Sequence, residues 1–364
     1  MKIRTLILCL LCALLLLACS KGSAVSEPVS EAEVPLEIAP VDTPPPAQEE
    51  KQISLSFATD AQVTAVPMTP APTAEPTAVP TIEPTPEPTD TPVPMLGVLD
   101  GKFADKFVTG SPVLTDTSYQ SERVAIFITR VVDDSKTIAD HTFNYFMADV
   151  YLQNMEDLRS APAKSWEKKW DNDWLANIAK KQGAIFAVSG DFTLTRYKDG
   201  GLVTRNGEVL QKKHDTRFDV GVIYRDGHME TYVGKNTPVE QLLSDPEVWQ
   251  ILGFGPELLD ENGQPKTSFS DPKKVGRANI RNAVGYFEPG HYCFVYVPPY
   301  KKPKDDTCLD MESLSKLMYS LGCVRAYNLD GGGTADMYFN GKLVSEKGLG
   351  QSRKNHDIYY IPQA

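Results

Sequence analysis

The sequence predicts an α+β domain: a mixed, largely antiparallel sheet with several hairpins and packing helices, following a disordered N-terminal spacer. Three observations carry this reading. Four Asn-Gly or Asp-Gly pairs (Asn206-Gly207, Asp226-Gly227, Asn262-Gly263 and Asn340-Gly341) lie beside apolar or alternating residues, a strong short-range hairpin signal. Val124 to Val132 and Phe143 to Leu152 are rich in β-branched and aromatic residues and read as strands. Sixteen of the 28 prolines fall in residues 20–94, a composition that buries almost nothing and favours extended, polyproline-like chain.

Taken in order, residues 1–19 read as a secretion signal. Lys2 and Arg4 precede an apolar run, Leu6 to Leu17, that is short for a membrane span. The run ends Leu16-Leu17-Ala18-Cys19, which resembles a bacterial lipobox and implies that Cys19 carries a lipid anchor on the outer side of the cell membrane, facing the wall. Residues 20–94 follow as a Pro/Thr/Glu-rich spacer, for example Pro80-Thr81-Ile82-Glu83-Pro84. At roughly 3 Å per residue it reaches on the order of 200 Å, enough to carry a domain through a thick wall.

Residues 95–364 form the globular part. Trp166, Trp170, Trp174 and Ile178 recur at four-residue spacing before Gly183, which predicts an amphipathic helix with its aromatic residues in the core. A strand over Ala184 to Val188 leads into Ser189-Gly190-Asp191. Thr237-Pro238 opens a helix through Val239 to Trp249, with threonine as cap. Arg281 to Gly285 and Tyr292 to Val297 are strands joined through a Glu288-Pro289-Gly290-His291 turn. A helix over Asp310 to Leu321 then feeds a strand over Cys323 to Leu329. Cys293, Cys308 and Cys323 leave a disulfide possible but one thiol over.

Net charge is −11, with 37 Lys and Arg against 48 Asp and Glu, and this argues against a nucleic-acid binder. No zinc-type spacing is present. No cofactor is expected, and the carboxylates leave calcium or another divalent metal open.

The stretch with the strongest chemical signature is Asn328-Leu329-Asp330-Gly331-Gly332-Gly333-Thr334. A strand delivers a carboxylate into three glycines, each of which costs backbone entropy. Such a loop lets a ligand approach main-chain N–H groups that can cradle an anionic oxygen.

Several stretches, in order across about residues 140–361, together resemble the phosphodiester glycosidase family. They are Gly190-Asp191-Phe192, Arg205-Asn206-Gly207, Phe254-Gly255-Pro256, Asn279 to Gly285, Glu288 to Tyr292, Asn328 to Thr334, and Arg353 with Asp357-Ile358. Two departures stand out: Ser189 occupies a place where the family has asparagine, and Pro298-Pro299-Tyr300-Lys301 replaces an Asp-Gly-Arg turn. The resemblance implies hydrolysis of a sugar–phosphate diester at the anomeric carbon, on cell-wall or exopolysaccharide glycans. It makes Asp330 and Asp191 the catalytic carboxylates and Arg281 and Arg353 the phosphate clamp. Gly331, Gly332, Gly333, Thr334, Ser189, Gly190 and His291 are then the further substrate-binding candidates. The competing expectation is a surface lipoprotein that binds glycans on the same fold without turnover.

Overall fold

Alternation of side chains along extended backbone decides how the layers of this protein stack. The computed structural model describes residues 101–167, 171–191, 201–269, 275–300, 308–345 and 349–364. The signal, Cys19 and the 20–94 spacer lie outside these residues.

The first strands are β1 (Val113–Leu114), β2 (Ser118–Gln120), β3 (Val124–Asp133), β4 (Phe143–Leu152) and β5 (Arg159–Pro162). Helix α1 (Leu175–Lys181) precedes β6 (Ala184–Ser189), and β7 (Gly201–Arg205) and β8 (Glu208–Lys213) form a hairpin. Next come β9 (Val220–Tyr224), β10 (Met229–Tyr232), helix α2 (Val239–Ser244) and β11 (Val248–Leu252). The chain continues through β12 (Arg281–Glu288), β13 (His291–Val297), helix α3 (Met311–Ser320) and β14 (Arg325–Asn328). It ends with β15 (Met337–Phe339), β16 (Lys342–Leu343) and β17 (Asp357–Pro362).

A seven-stranded sheet, in the order β1-β2-β3-β4-β13-β12-β14, lies against a five-stranded sheet, β16-β15-β6-β17-β5. Val284 and Tyr286 of β12 point into the space between them and share one core cluster with Phe186, Val188, Phe339 and Tyr359. Ala283, one position out of phase, faces the other way and packs with Leu314, Leu317 and Met318 of α3. The outer face of the smaller sheet is covered by α1, whose Leu175, Ile178 and Ala179 meet Ala187, Tyr338, Ile358 and Tyr360. The result is helix, sheet, sheet, helix. Each fully buried Leu, Ile or Phe contributes about 1.5–3 kcal/mol. A three-stranded sheet, β10-β9-β11, packs Val222 and Ile251 with Leu242 of α2.

All strand pairings among the described residues are antiparallel, in keeping with a largely antiparallel α+β domain. Three of the four hairpins form where their turns predict them. At Asn262-Gly263 only a single bridge, Leu259 to Pro265, closes the turn. Asp310 caps α3 by accepting from the Ser313 N–H at 2.8 Å.

Two helices are shorter than the sequence suggests. Trp249 belongs to β11 because α2 stops at Ser244, just before Asp245-Pro246. Proline disfavours helical backbone at the residue before it. Trp166 and Trp174 do not lie on a helix: α1 begins only at Leu175, and Trp174 is its N-terminal flanking residue, 41% exposed. Asp173 accounts for this, because its Oδ1 accepts from the Trp174 N–H (2.7 Å) and from Asn177 Nδ2 (2.9 Å). Short acidic side chains of this kind favour helix starts over helix interiors. Trp170 lies outside the described residues.

Candidate active site

The end of β14 is held on both sides by backbone hydrogen bonds. The Leu329 N–H donates to the Asn282 carbonyl (2.9 Å) and the Gly332 N–H to that of Ile280 (2.8 Å), while the Asp330 N–H donates to the Gly190 carbonyl (3.1 Å). Asp330 therefore sits where β12 and the end of β6 converge. Its side chain is 9% exposed, and its Oδ2 accepts from the Thr334 hydroxyl at 2.8 Å.

Close approach explains the glycines. A Cβ on Gly331 would lie 2.7 Å from the Ile280 carbonyl, and one on Gly333 would lie 2.5 Å from Ser352 Oγ and 3.0 Å from Arg353 Cγ. Gly332 has φ +66°, in the left-handed region. The Gly333 carbonyl accepts from the Ser352 and Arg353 N–H groups at 2.8 and 2.7 Å, which docks the 352–353 segment on the loop. The Thr334 carbonyl accepts three side-chain donors: Ser189 Oγ (2.7 Å), Asn355 Nδ2 (3.2 Å) and Gln351 Nε2 (3.3 Å).

These segments enclose a cleft of about 460 Å³, a volume in the range of small-molecule sites. Asp330, Thr334, Ser352, Arg353, Lys354 and His356 line it, with Asn172 and Trp174. Arg353 is exposed and, among the described residues, makes no side-chain ion pair; its guanidinium lies 3.7 Å from where a Cβ on Gly332 would stand. Asp173 and Asn355 exchange backbone hydrogen bonds at 3.0 and 2.8 Å. His356 Nδ1 lies 2.9 Å from the Asp171 carbonyl. A carbonyl only accepts, so Nδ1 carries the proton, and in the neutral ring Nε2 holds the lone pair. A larger hollow of about 610 Å³, lined by Glu261, Tyr319, Val324 and Arg325 among others, lies apart from Asp330 and its glycine loop.

The sequence candidates divide sharply. Asp330, Thr334 and Arg353 meet in the cleft, with the three glycines beneath them. Asp191 does not join them. It is wholly buried, ion-paired with Arg205, and accepts from the Gly253 N–H (2.7 Å) and the Tyr359 hydroxyl (3.3 Å). Burial works against the Arg205 cation, but Asp191, Tyr359 and Asp357 outweigh it and raise its pKa. Gly190 serves this same cluster, since a Cβ there would overlap the Asp357 carboxylate. Ser189 is buried and its hydroxyl is taken by Thr334, so it faces no ligand, and the larger asparagine would crowd its position.

Arg281 is not a phosphate clamp. Its β12 position points it to the α3 side, where it is 2% exposed and donates to the carbonyls of Leu309 (3.1 Å), Val275 (2.6 Å) and Arg277. Burial pushes its pKa down to about 10. His291 begins β13 at the opposite end of the hairpin, six residues along β12 from Asn282, or roughly 20 Å. It pairs with Asp149 (2.7 Å) and stacks on Tyr151 and Phe287. Sequence reasoning missed Asn172, Trp174, Ser352, Lys354 and His356. Only Asp173, a helix-start residue type directly before Trp174, carried a local sequence signal for any of them.

Among the described residues no group of three His, Cys, Asp or Glu side chains is placed to hold a metal ion, and no helix is long and apolar enough to cross a membrane. Among the described residues Cys293, Cys308 and Cys323 are buried and form no disulfide, and the Cys293 and Cys323 sulfurs lie 3.6 Å apart.

The two-sheet fold thus carries one cleft in which a carboxylate, Asp330, meets two cations, Arg353 and Lys354. Residues 182–361 match the phosphodiester glycosidase family, and this part of the chain belongs to it. The fold resembles the catalytic domain of zebrafish N-acetylglucosamine-1-phosphodiester alpha-N-acetylglucosaminidase, described as auto-inhibited by its pro-peptide. That match has a TM-score of 0.51 and 19% identity, covering 71% of this chain and 86% of that one. A Bacillus subtilis (strain 168) relative, the SPbeta prophage-derived uncharacterized protein YomE, is 23% identical over 205 residues. The match covers 55% of this chain and 31% of that protein, so the chain spans under a third of the relative's length.

Proposed function

We propose that the domain hydrolyses a sugar-1-phosphodiester, on a glycan of the cell wall or exopolysaccharide, from a lipid-anchored position at the cell surface. The observation that carries the chemistry is the placement of Asp330 and the exposed Arg353 in one cleft, on either side of the glycine loop. The bond between the anomeric carbon and the phosphate oxygen breaks, and its electron pair leaves with the phosphomonoester. A phosphate needs little general-acid help to depart. Arg353 and the neighbouring Lys354 take up its charge.

Asp330 faces the carbon on which positive charge develops, with its carboxylate oriented by the Thr334 hydroxyl. Water supplies the new oxygen at the anomeric carbon, and its proton passes to the departing phosphomonoester. Among the described residues Asp330 is the one carboxylate in the cleft lining, where glycosidases typically use an acid–base pair. That same observation favours a second reading, a site that binds glycan phosphate without turnover. Incubating the purified protein with a sugar-1-phosphodiester and measuring free sugar decides between them: release supports hydrolysis, and tight binding without release supports the alternative.

A further inference from the structure

We infer that Trp174 is the platform for the sugar ring, so that the cleft has an aromatic sugar subsite distinct from its phosphate-binding side. The inference rests on the reading of the cleft as a sugar–phosphate site. Trp174 is the aromatic side chain in the cleft lining, 41% exposed, in a site otherwise made of polar and charged groups. A single exposed tryptophan means little by itself. This one is built in place. The Asp173–Asn355 backbone bridge and the His356 Nδ1–H donated to Asp171 fix the segment before it, and the first turn of α1, anchored by buried Leu175, fixes the segment after it. The same Asn355 donates to Thr334 beside Asp330, so the indole and the carboxylate are referenced to one frame.

The ring chemistry selects the ligand. A pyranose presents a face of C–H bonds with slight positive character, which suits the electron-rich face of an indole. Lys354 and Arg353, from the 352–354 segment, suit an anion instead. A ligand with an apolar sugar face and an anionic substituent on its anomeric carbon satisfies both ends of the cleft, with that carbon at Asp330. A rigid aromatic anchor also loses little conformational entropy on binding.

The test uses the mature protein and two probes, free N-acetylglucosamine and inorganic phosphate, titrated by calorimetry against wild type, Trp174→Ala, Trp174→Phe and Arg353→Ala. Trp174→Ala should weaken the sugar about tenfold and leave phosphate affinity unchanged. Trp174→Phe should recover most of the loss, and Arg353→Ala should weaken phosphate alone. An equal loss of both probes in Trp174→Ala, with a lowered melting temperature, would mean a structural role and overturn the inference. So would sugar affinity that ignores the substitution, or a wild type that binds neither this sugar nor glucose or galactose. If sugar binding depends on Trp174 but no diester is cleaved, the platform stands and the hydrolase reading falls.

Discussion

Asp191→Asn separates a structural carboxylate from a catalytic one. The substitution keeps shape but removes the charge opposite Arg205, which is 1% exposed and has Asp357 as its remaining carboxylate at 3.5 Å. Breaking a buried pair from one side costs about 3–5 kcal/mol. Asp357, together with the Ile251 and Thr204 carbonyls at 2.5 and 3.1 Å, holds part of the guanidinium's demand, so the lower figure applies. For a domain of this size each kcal/mol moves the melting temperature by about 2–4 °C, which gives a fall of about 6–12 °C. Thermal denaturation followed by circular dichroism measures it. The Asp191→Asn, Arg205→Met double variant should lose less than the sum of the singles, because the buried cation goes with its partner. Turnover, assayed well below the lowered transition, should stay within a few-fold of wild type. An unchanged melting temperature with abolished turnover would refute this assignment and return Asp191 to the chemistry.

Asp330→Asn should abolish sugar release and leave the melting temperature within about 2 °C of wild type, since Thr334 can still donate to the amide oxygen; near-full turnover would remove Asp330 from the mechanism. Arg353→Ala should lower kcat/KM for the diester about 10- to 100-fold, the worth of one charge-assisted hydrogen bond, with no change in stability. Unaltered kinetics would show that the phosphate lies elsewhere. Replacing Cys19 with Ala should move the protein from the membrane fraction to the soluble one; retention in the membrane would defeat the lipid-anchor proposal.

Much of the frame was legible in the sequence because its signals are local. Phe143–Leu152 is a strand with the bounds its composition suggests, and Asn206-Gly207, Asp226-Gly227 and Asn340-Gly341 all turn hairpins. Asp330 with its glycines was legible too, because a costly loop announces itself. Direction was not. Whether Asp191 faces a ligand or a guanidinium depends on Arg205 and Asp357, strands away in sequence. Arg281 and Asn282 differ by one position and so by a whole face of the sheet. The four-residue tryptophan spacing was overruled by Asp173, whose side chain favours a helix start.

The cleft wall joins residues 171–174, 330–334 and 351–356, the last hydrogen-bonded to both of the others. Because the 351–356 segment leads directly into β17, between β6 and β5 inside the five-stranded sheet, the wall of the site is tied to that sheet. Occupancy of the cleft is then thermodynamically linked to the whole domain. A ligand present at 100 times its dissociation constant adds about 2.7 kcal/mol to stability. A simple melting-temperature screen of sugars, phosphates and their diesters should therefore rank natural ligands before any reaction is known.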